Sequence, residues 1–342
     1  MLILNASDVR SLIGPQEAYD AVRAGFMHLA SGGIQSFARH QLSAGGRYAL
    51  MGLMPVADTE DGGPWAIKVV LVGKSNRSIG LDSHQGFLLL ADGVTGVPVA
   101  LIDASSITAM RTAAASAVAT KALAPANPTR IAILGGGTQA RSHAVAMRHL
   151  YPTAELVLWA RSNGAELAKE LKVTHAQSID EAVDRAHVIC TVTGAKEPIL
   201  KLANVSEGCH INAVGASNPA AREIAGDLVA ASKFVVDSFE QAESECGELL
   251  LARSEGVIAV DQQIISLDSV LSGAHPGRVS GQEITLFKSL GIATEDLALG
   301  KEVLKQAKVR GIGINVDMQG SRKGSSPLQQ SVFGSNRNHS NL

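Results

Sequence analysis

Cysteine is scarce in this chain of 342 residues: Cys190, Cys209 and Cys246 are odd in number, widely spaced, and fall in no metal-ligand or redox pattern. That excludes a disulfide scaffold, gives no reason to expect a metal, and points to a reduced chain in the cytoplasm. An excess of one charge is also missing, since the formal net charge is -2 with both signs interspersed. Neither nucleic acid nor an anionic membrane is therefore an expected partner. No apolar run reaches membrane-spanning length, and the opening MLILNASDVR lacks the basic flank and longer apolar stretch of a secretion signal. What is present is core-forming material, 46% hydrophobic against 18% charged residues, which suits a globular protein with disorder confined to its ends. One core of this length would be oversized, so two domains are expected.

The first 125 or so residues mix two periodicities. Pro15 is placed to open a helix at its first position, and Ala18, Val22, Phe26 and Leu29 follow at helical spacing. Short strands are predicted over 48–54, 65–72, 86–90 and 97–103, between glycine-rich turns. The small-residue run SSITAMRTAAASAVATKAL then reads as a closely packed helix ending before Pro125. After the PANP linker the rhythm becomes strand, turn, helix. Strands are predicted over 130–134, 155–160, 187–193, 210–214 and 234–237, with a helix over 139–150 and a capping box of Ser178 and Glu181 ahead of another. This alternation predicts an α/β fold, a Rossmann-type doubly wound parallel sheet beside a second α+β domain. There is no internal repeat. The stretch from Gln319, rich in Ser, Asn and Gly, reads as a poorly ordered tail.

The segment RIAILGGGTQARSHAVAM sets G-x-G-x-x-A between a predicted strand and a predicted helix, the context the motif requires. Gly135 permits a tight turn, Gly137 lets the backbone approach a pyrophosphate, and Ala140 lets helix and strand pack closely. Amides of the first helical turn, at Thr138 and Gln139, face the anion. The plain alternative is a glycine-rich connector. At the end of the second strand, where a carboxylate would accept the ribose hydroxyls of NAD, stand Arg161 and Ser162. A guanidinium and a hydroxyl suit a 2′-phosphate, which favours NADPH over NADH, unless Arg161 is merely a solvated surface residue.

With these residues in view the sequence resembles the ornithine cyclodeaminase and mu-crystallin family, over almost the whole chain to about Asp317. The matching segments include KVV at Lys68, SHQG at His84, ITAMRTAAASAVATK around Arg111, ILGGGTQARSH, VICTVT, HINAVGASNPAAREI, VVDSFEQAESECGEL and FKSLGIATED. The resemblance implies a homodimer. Each subunit would have a Rossmann domain at 126–305 and a substrate-binding and dimerisation domain at 1–125 and 306–320, with 321–342 as the tail. It also implies action on small α-amino or α-imino acids: some members cyclise ornithine with loss of ammonia, others reduce cyclic imines or act as amino-acid dehydrogenases. Fold alone does not choose among these.

By match to the family's motifs, Arg39, Lys68 and Arg111 are candidates to clamp a substrate carboxylate. Lys68 stands in the apolar run WAIKVVLV and Arg111 in a helix of small residues, settings where a charge is costly unless paired. The structural alternative is a buried ion pair with an aspartate such as Asp82 or Asp103. His84 is a candidate to contact substrate or relay a proton, whereas His210, in a core strand, is read as packing. Thr191 and Val192 match a strand end flanking the cofactor ribose, and Ser289 and Leu290 a segment approaching the nicotinamide. Cyclodeaminases carry an aspartate in the loop that here reads VGASNPAARE, with Ser217 at that position, as in mu-crystallin. A hydroxyl does not serve as general base at neutral pH. The expected activity is therefore NADPH-dependent reduction of a cyclic ketimine, Δ1-pyrroline-2-carboxylate or Δ1-piperideine-2-carboxylate, to proline or pipecolate. The alternatives are ornithine cyclodeamination, and an NADPH-dependent binding protein that does not turn over.

Overall fold

The computed structural model describes residues 1–43, 50–318 and 320; the expected tail at 321–342 and the predicted strand start at Tyr48 lie outside the described residues. The chain opens with β1 (Leu2–Leu4), α1 (Ala6–Leu12) and α2 (Pro15–Ala30). Asn5 caps α1 by accepting from the Ser7 and Asp8 amides, and Asp8 returns the bond. Pro15 does open α2 at its first turn. There follow β2 (Ile34–Ser36), β3 (His40–Leu42), β4 (Leu50–Asp58), β5 (Trp65–Val72), β6 (His84–Ala91) and β7 (Pro98–Asp103). In β4 to β7 alternate residues are buried, so Met54, Val56, Lys68, Val70, Leu88, Leu90, Ala100 and Ile102 share one face. Lys68 is thus on the core side of its strand by pleat alone.

Helix α3 (Ala104–Leu123) is capped by Asp103, which accepts from the Ser106 amide at 2.7 Å. It is buried around most of its circumference because it lies between two sheets, and its alanines let both approach. The second sheet is built from β8 (Arg130–Leu134), α4 (Thr138–Leu150), β9 (Glu155–Trp159), α5 (Gly164–Leu171), β10 (Thr174–His175), α6 (Ile179–Val183), β11 (Val188–Thr191) and β12 (His210–Ala213). It continues with α7 (Gly226–Ala231), β13 (Ser232–Val236), α8 (Phe239–Glu245), α9 (Gly247–Ser254), β14 (Ile265–Ser266), α10 (Leu267–Leu271) and β15 (Ile284–Lys288). All pairings are parallel, in the order β10-β9-β8-β11-β12-β15-β13-β14. This is the expected Rossmann-type sheet, with its order reversing between β8 and β11.

At α6 the cap departs from expectation. Ser178 accepts from the Glu181 amide, but the Glu181 carboxylate accepts from Gln177, one residue earlier than a capping box requires. His210 is buried, bonded to Thr285 and Asn212, and Asn212 donates to Thr120 of α3 at 2.8 Å. Finally α11 (Ala293–Arg310) leaves the end of β15 and packs on α2, α3 and the first sheet. The last element among the described residues is β16 (Ile314–Asn315) beside β1, giving the first sheet the order β16-β1-β7-β6-β5-β4-β2, with β3 also on β4.

Candidate active site

The glycine turn joins β8 to α4 at the point where the sheet order reverses. Gly135 has φ 148, its amide donates to the Trp159 carbonyl at 2.8 Å, and a Cβ there would lie 2.6 Å from the Val192 carbonyl oxygen. Only glycine fits both the dihedral and the space. Asn163, which the motif did not announce, donates to the Gly136 carbonyl at 3.0 Å and ties the turn to the end of β9. Gly137 stands at the α4 N-cap with no side chain bonded to the first amides, so the amides of Thr138 and Gln139 are left for an anion. Ala140 is fully buried against Ile131 and Ile133. The Thr138 hydroxyl donates to Asp82 at 3.1 Å. Arg161 and Ser162 are exposed just beyond the end of β9.

Three cations converge on the first turn of α11 and the segment that leads into it from β15. Arg39 donates to the Leu290 carbonyl at 2.8 Å and to Glu245 at 3.2 Å, and Gln41 holds the other Glu245 oxygen at 2.9 Å. Lys68, 1% exposed, places Nζ 2.8 and 2.7 Å from the two oxygens of Asp296. Arg111 donates to Glu295 at 2.6 Å, and its Nε stands 3.2 Å from Asp296, close enough for an ion pair but not aligned as a hydrogen bond. Gly291, at φ 83, lies under the guanidinium: a Cβ there would be 2.6 Å from one of its terminal nitrogens. Asp237, at the end of β13, accepts from the Leu290 and Gly291 amides at 2.7 and 2.6 Å. The partners named from sequence are therefore corrected, because Asp103 serves as the α3 cap and Asp82 receives Thr138. The carboxylates that hold Lys68 and Arg111 come from the first turn of α11.

Burial sets the electrostatics here. It pushes Lys68 down to about 8, against the pull of Asp296 and with the help of Arg111 and Arg39. It pushes Glu295 up to about 7 against Arg111, and Asp237 up to about 6 against the two amides. A carboxylate entering this group finds no free cation. It must share Arg39 with Glu245, and Lys68 and Arg111 with Glu295 and Asp296, so the cations are pre-positioned by the same pairs that compete for them.

The other predicted residues lie around this centre. His84 begins β6 with an exposed side chain whose Nδ1 is 3.1 Å from the Ser83 hydroxyl, and its carbonyl accepts from Ser105. Ser217 is exposed on the loop after β12. Thr191 is buried and donates to Glu223 at 2.9 Å, while Val192 backs Gly135. Ser289 is buried, its amide donating to the Ala213 carbonyl at 3.0 Å, and Leu290 links Arg39 to Asp237. Reasoning from sequence missed Asp237, Glu295 and Asp296. An acid closing an apolar strand, as in FVVD, and an acidic pair opening a helix were the available signals. Among the described residues His28, Asp58 and Glu60 also gather, but Lys301 stands 2.8 Å from Asp58 and supplies the cation itself.

Comparison with known proteins agrees with this architecture. A family model described as "Ornithine cyclodeaminase/mu-crystallin family" matches residues 1–310. The chain is 38% identical over 297 residues to the ketimine reductase mu-crystallin of Mus musculus, covering 85% of this chain and 90% of that protein. Among solved structures it is similar to the Δ1-pyrroline-2-carboxylate reductase of Thermococcus litoralis in complex with NADH and L-proline, with TM-score 0.87, 34% identity, and coverage of 92% of this chain and all of that one. It is also similar to an archaeal alanine dehydrogenase dimer with bound NAD, with TM-score 0.86, 32% identity, and coverage of 93% and 99%.

Proposed function

Since the chain belongs to the ornithine cyclodeaminase/mu-crystallin family and is an NAD(P)H-dependent oxidoreductase, we propose that it reduces a cyclic ketimine. The substrate is Δ1-pyrroline-2-carboxylate or its six-membered homologue Δ1-piperideine-2-carboxylate, and the product proline or pipecolate. One observation carries the choice: Arg39, Lys68 and Arg111 converge beside the end of the parallel sheet, while the loop after β12 offers the hydroxyl of Ser217 in place of a carboxylate. The uncapped amides of α4 and the bare turn at Gly135 and Gly137 fit a dinucleotide diphosphate.

NADPH, when bound, supplies the hydride. Gly135, Gly137, Thr138, Gln139 and Ala140 would hold its diphosphate, Arg161 and Ser162 its 2′-phosphate, Thr191 and Val192 the ribose, and Ser289 and Leu290 the nicotinamide. The three cations hold the substrate carboxylate so that one face of C=N is presented at near-attack distance. A protonated cyclic imine is already electrophilic, so a polarising contact from Ser217 or His84 suffices near nitrogen. Cyclodeamination asks more, a carboxylate that manages several protons in one site. The relatives named above include NADH- and NAD-bound structures, so the NADPH preference rests on Arg161 and Ser162 alone.

Two further points support the setting. Cys190, Cys209 and Cys246 are free thiols, which suits a cytoplasmic enzyme, and no helix among the described residues is long and apolar enough to cross a membrane. The half-buried apolar row that Ile67, Leu89 and Leu101 form across β5, β6 and β7 suits a homodimer. The test is a spectrophotometric screen of both cyclic imino acids with NADPH and NADH, run beside ornithine plus NAD with ammonia as readout. Imine-dependent oxidation without comparable ammonia release is expected. Robust ammonia release with no imine-dependent oxidation would overturn the reading, and binding of NADPH with no turnover of any imine would favour a binding protein.

A further inference from the structure

Glu223 takes no part in the chemistry above, yet its carboxylate gathers hydrogen bonds from the ends of two neighbouring strands, β11 and β12, beside the nucleotide crevice. Oε1 accepts from the Thr193 amide at 2.7 Å and the Thr193 hydroxyl at 2.6 Å. Oε2 accepts from the Thr191 hydroxyl at 2.9 Å and the Gly215 amide at 2.7 Å. Its backbone is held too: the amide donates to Glu248 at 3.0 Å, and the carbonyl accepts from Ile199 and Leu200 at 2.8 and 3.1 Å. The residue is fully buried.

These donors stand at particular places. Thr191 closes β11 and Thr193 lies just beyond it, while Gly215 lies just beyond the neighbouring strand β12. Val192, between the two threonines, is the residue whose carbonyl abuts Gly135 of the glycine turn. At Gly215 a Cβ would lie 2.6 Å from Glu223 Oε1, so the strand ends are drawn in until only glycine fits. In a doubly wound sheet the ligand lies in the crevice outside these carboxyl ends, on the side where the order reverses.

A carboxylate suits this set of donors. Two amides and two hydroxyls aimed at two oxygens demand an acceptor-only side chain, which glutamine is not. Lys288 at the end of β15, also fully buried, pairs with Glu248 at 2.9 Å, through the oxygen that does not serve the Glu223 amide, and attracts Glu223 without bonding to it. Its attraction and the Thr193 bonds oppose the upward push of burial on the Glu223 carboxyl.

We propose that Glu223 is a positioning residue for the nicotinamide half of the cofactor: it sets the spacing of the β11 and β12 ends between which that half must lie, and it anchors the base of the loop that presents Ser217. The adenine half would be held by Arg161 and Ser162 beyond the end of β9, which Glu223 does not touch. The inference rests on the nicotinamide-nucleotide reading of the crevice and not on which imino acid is reduced.

The experiment uses the full chain with Glu223→Gln. It measures the affinity for NADPH and NADH by nicotinamide fluorescence, and the affinity for 5′-AMP and 2′,5′-ADP, the adenine halves of the two cofactors, by competition. The whole dinucleotide should bind about tenfold more weakly, as loss of a buried charged hydrogen-bonded contact implies. The adenine-half fragments should stay within about twofold of the parent. If Glu223→Gln does not fold, Thr193→Val removes one donor and should shift the dinucleotide in the same direction, with Thr193→Ser restoring it. Equal weakening of fragment and dinucleotide, or no change in either, would overturn the assignment. A parent protein that binds neither NADH nor NADPH would instead overturn the nucleotide reading, and this inference with it.

Discussion

Arg111 answers to Glu295, Asp296 and the face of Gly291 at once, which decides how its role can be tested. Replacement by methionine would strand the buried Glu295 and leave Asp296 to Lys68 alone, a change that costs about 3–5 kcal/mol and confuses lost activity with lost fold. Arg111→Lys keeps the charge and gives up the planar fork. It should lower kcat/KM for the imino acid by about two orders of magnitude while leaving NADPH affinity within a small factor. Steady-state kinetics beside nucleotide titration checks this, and parallel loss of both would mark Arg111 as structural.

Lys68 makes a second prediction, whose sign runs opposite for binding and for stability. Its folded value is pushed down to about 8 while the unfolded lysine titrates at 10.5, so between these the unfolded chain holds the extra proton. Stability from this group therefore rises across that window. Anion binding needs the charged lysine and should weaken over the same window. The dissociation constant of pyrrole-2-carboxylate, a planar carboxylate that does not titrate there, should climb above pH 8, and Lys68→Arg should remove the rise. A flat profile in the parent would sink the clamp role of Lys68. Glu295 and Asp237, held up to about 7 and about 6, act the other way: the stability they contribute is present at low pH and is lost as pH rises through those values.

These cations were legible in the sequence because a charge amid apolar or small residues needs a reason. Their partners were not. Asp296 is 228 residues from Lys68, and Glu295 is 184 from Arg111. Asp82 and Asp103 were nearer along the chain but were already committed to Thr138 and to the α3 cap.

Among the elements, strands of the parallel sheet were the easiest to read, since burial on both faces leaves plain apolar runs such as RIAIL and VICT. β15 was harder. It ends on Lys288, whose charge breaks the apolar run and is neutralised by Glu248 from α9, a pairing only the tertiary fold creates. β16, of 2 residues, is too short to carry a pattern. The end of β9 carries the cofactor prediction. Ala160 lies beside Gly136, and Asn163 locks that edge of the turn, so a side chain at 160 borders the place where ribose hydroxyls arrive. NADPH should be used with higher kcat/KM than NADH, and Ala160→Asp should shift the ratio toward NADH by about tenfold or more, because a carboxylate repels the 2′-phosphate and accepts from free hydroxyls. A parent enzyme that already prefers NADH would refute the role given to Arg161 and Ser162.

For the molecule as a whole, the first sheet poses the remaining problem. Antiparallel sheets with one solvated face usually read apolar inside and polar outside. Here the face turned from the helices is apolar as well. Pro55, Ile67, Leu89, Leu101 and Ile3 lie side by side across β4, β5, β6, β7 and β1, with Leu53, Val69 and Phe87 forming the next row. Trp65 is 61% exposed and Phe87 39%. A continuous patch of this kind is costly in water and marks an association surface. A second copy of the chain is the partner we propose, because a two-fold axis through the face would set identical rows against each other and close the assembly. Light scattering should then give twice the chain mass of 35.5 kDa. Ile67→Glu, within the longer row, should yield a monomer that still binds NADPH, since the nucleotide turn belongs to the other sheet. Imine turnover should fall steeply, because Lys68 is the next residue of the same strand and Arg39 lies against Gly52 of the adjacent one. A parent protein that is monomeric at micromolar concentration, with Ile67→Glu indistinguishable from it in mass and turnover, would show that the face is covered in some other way.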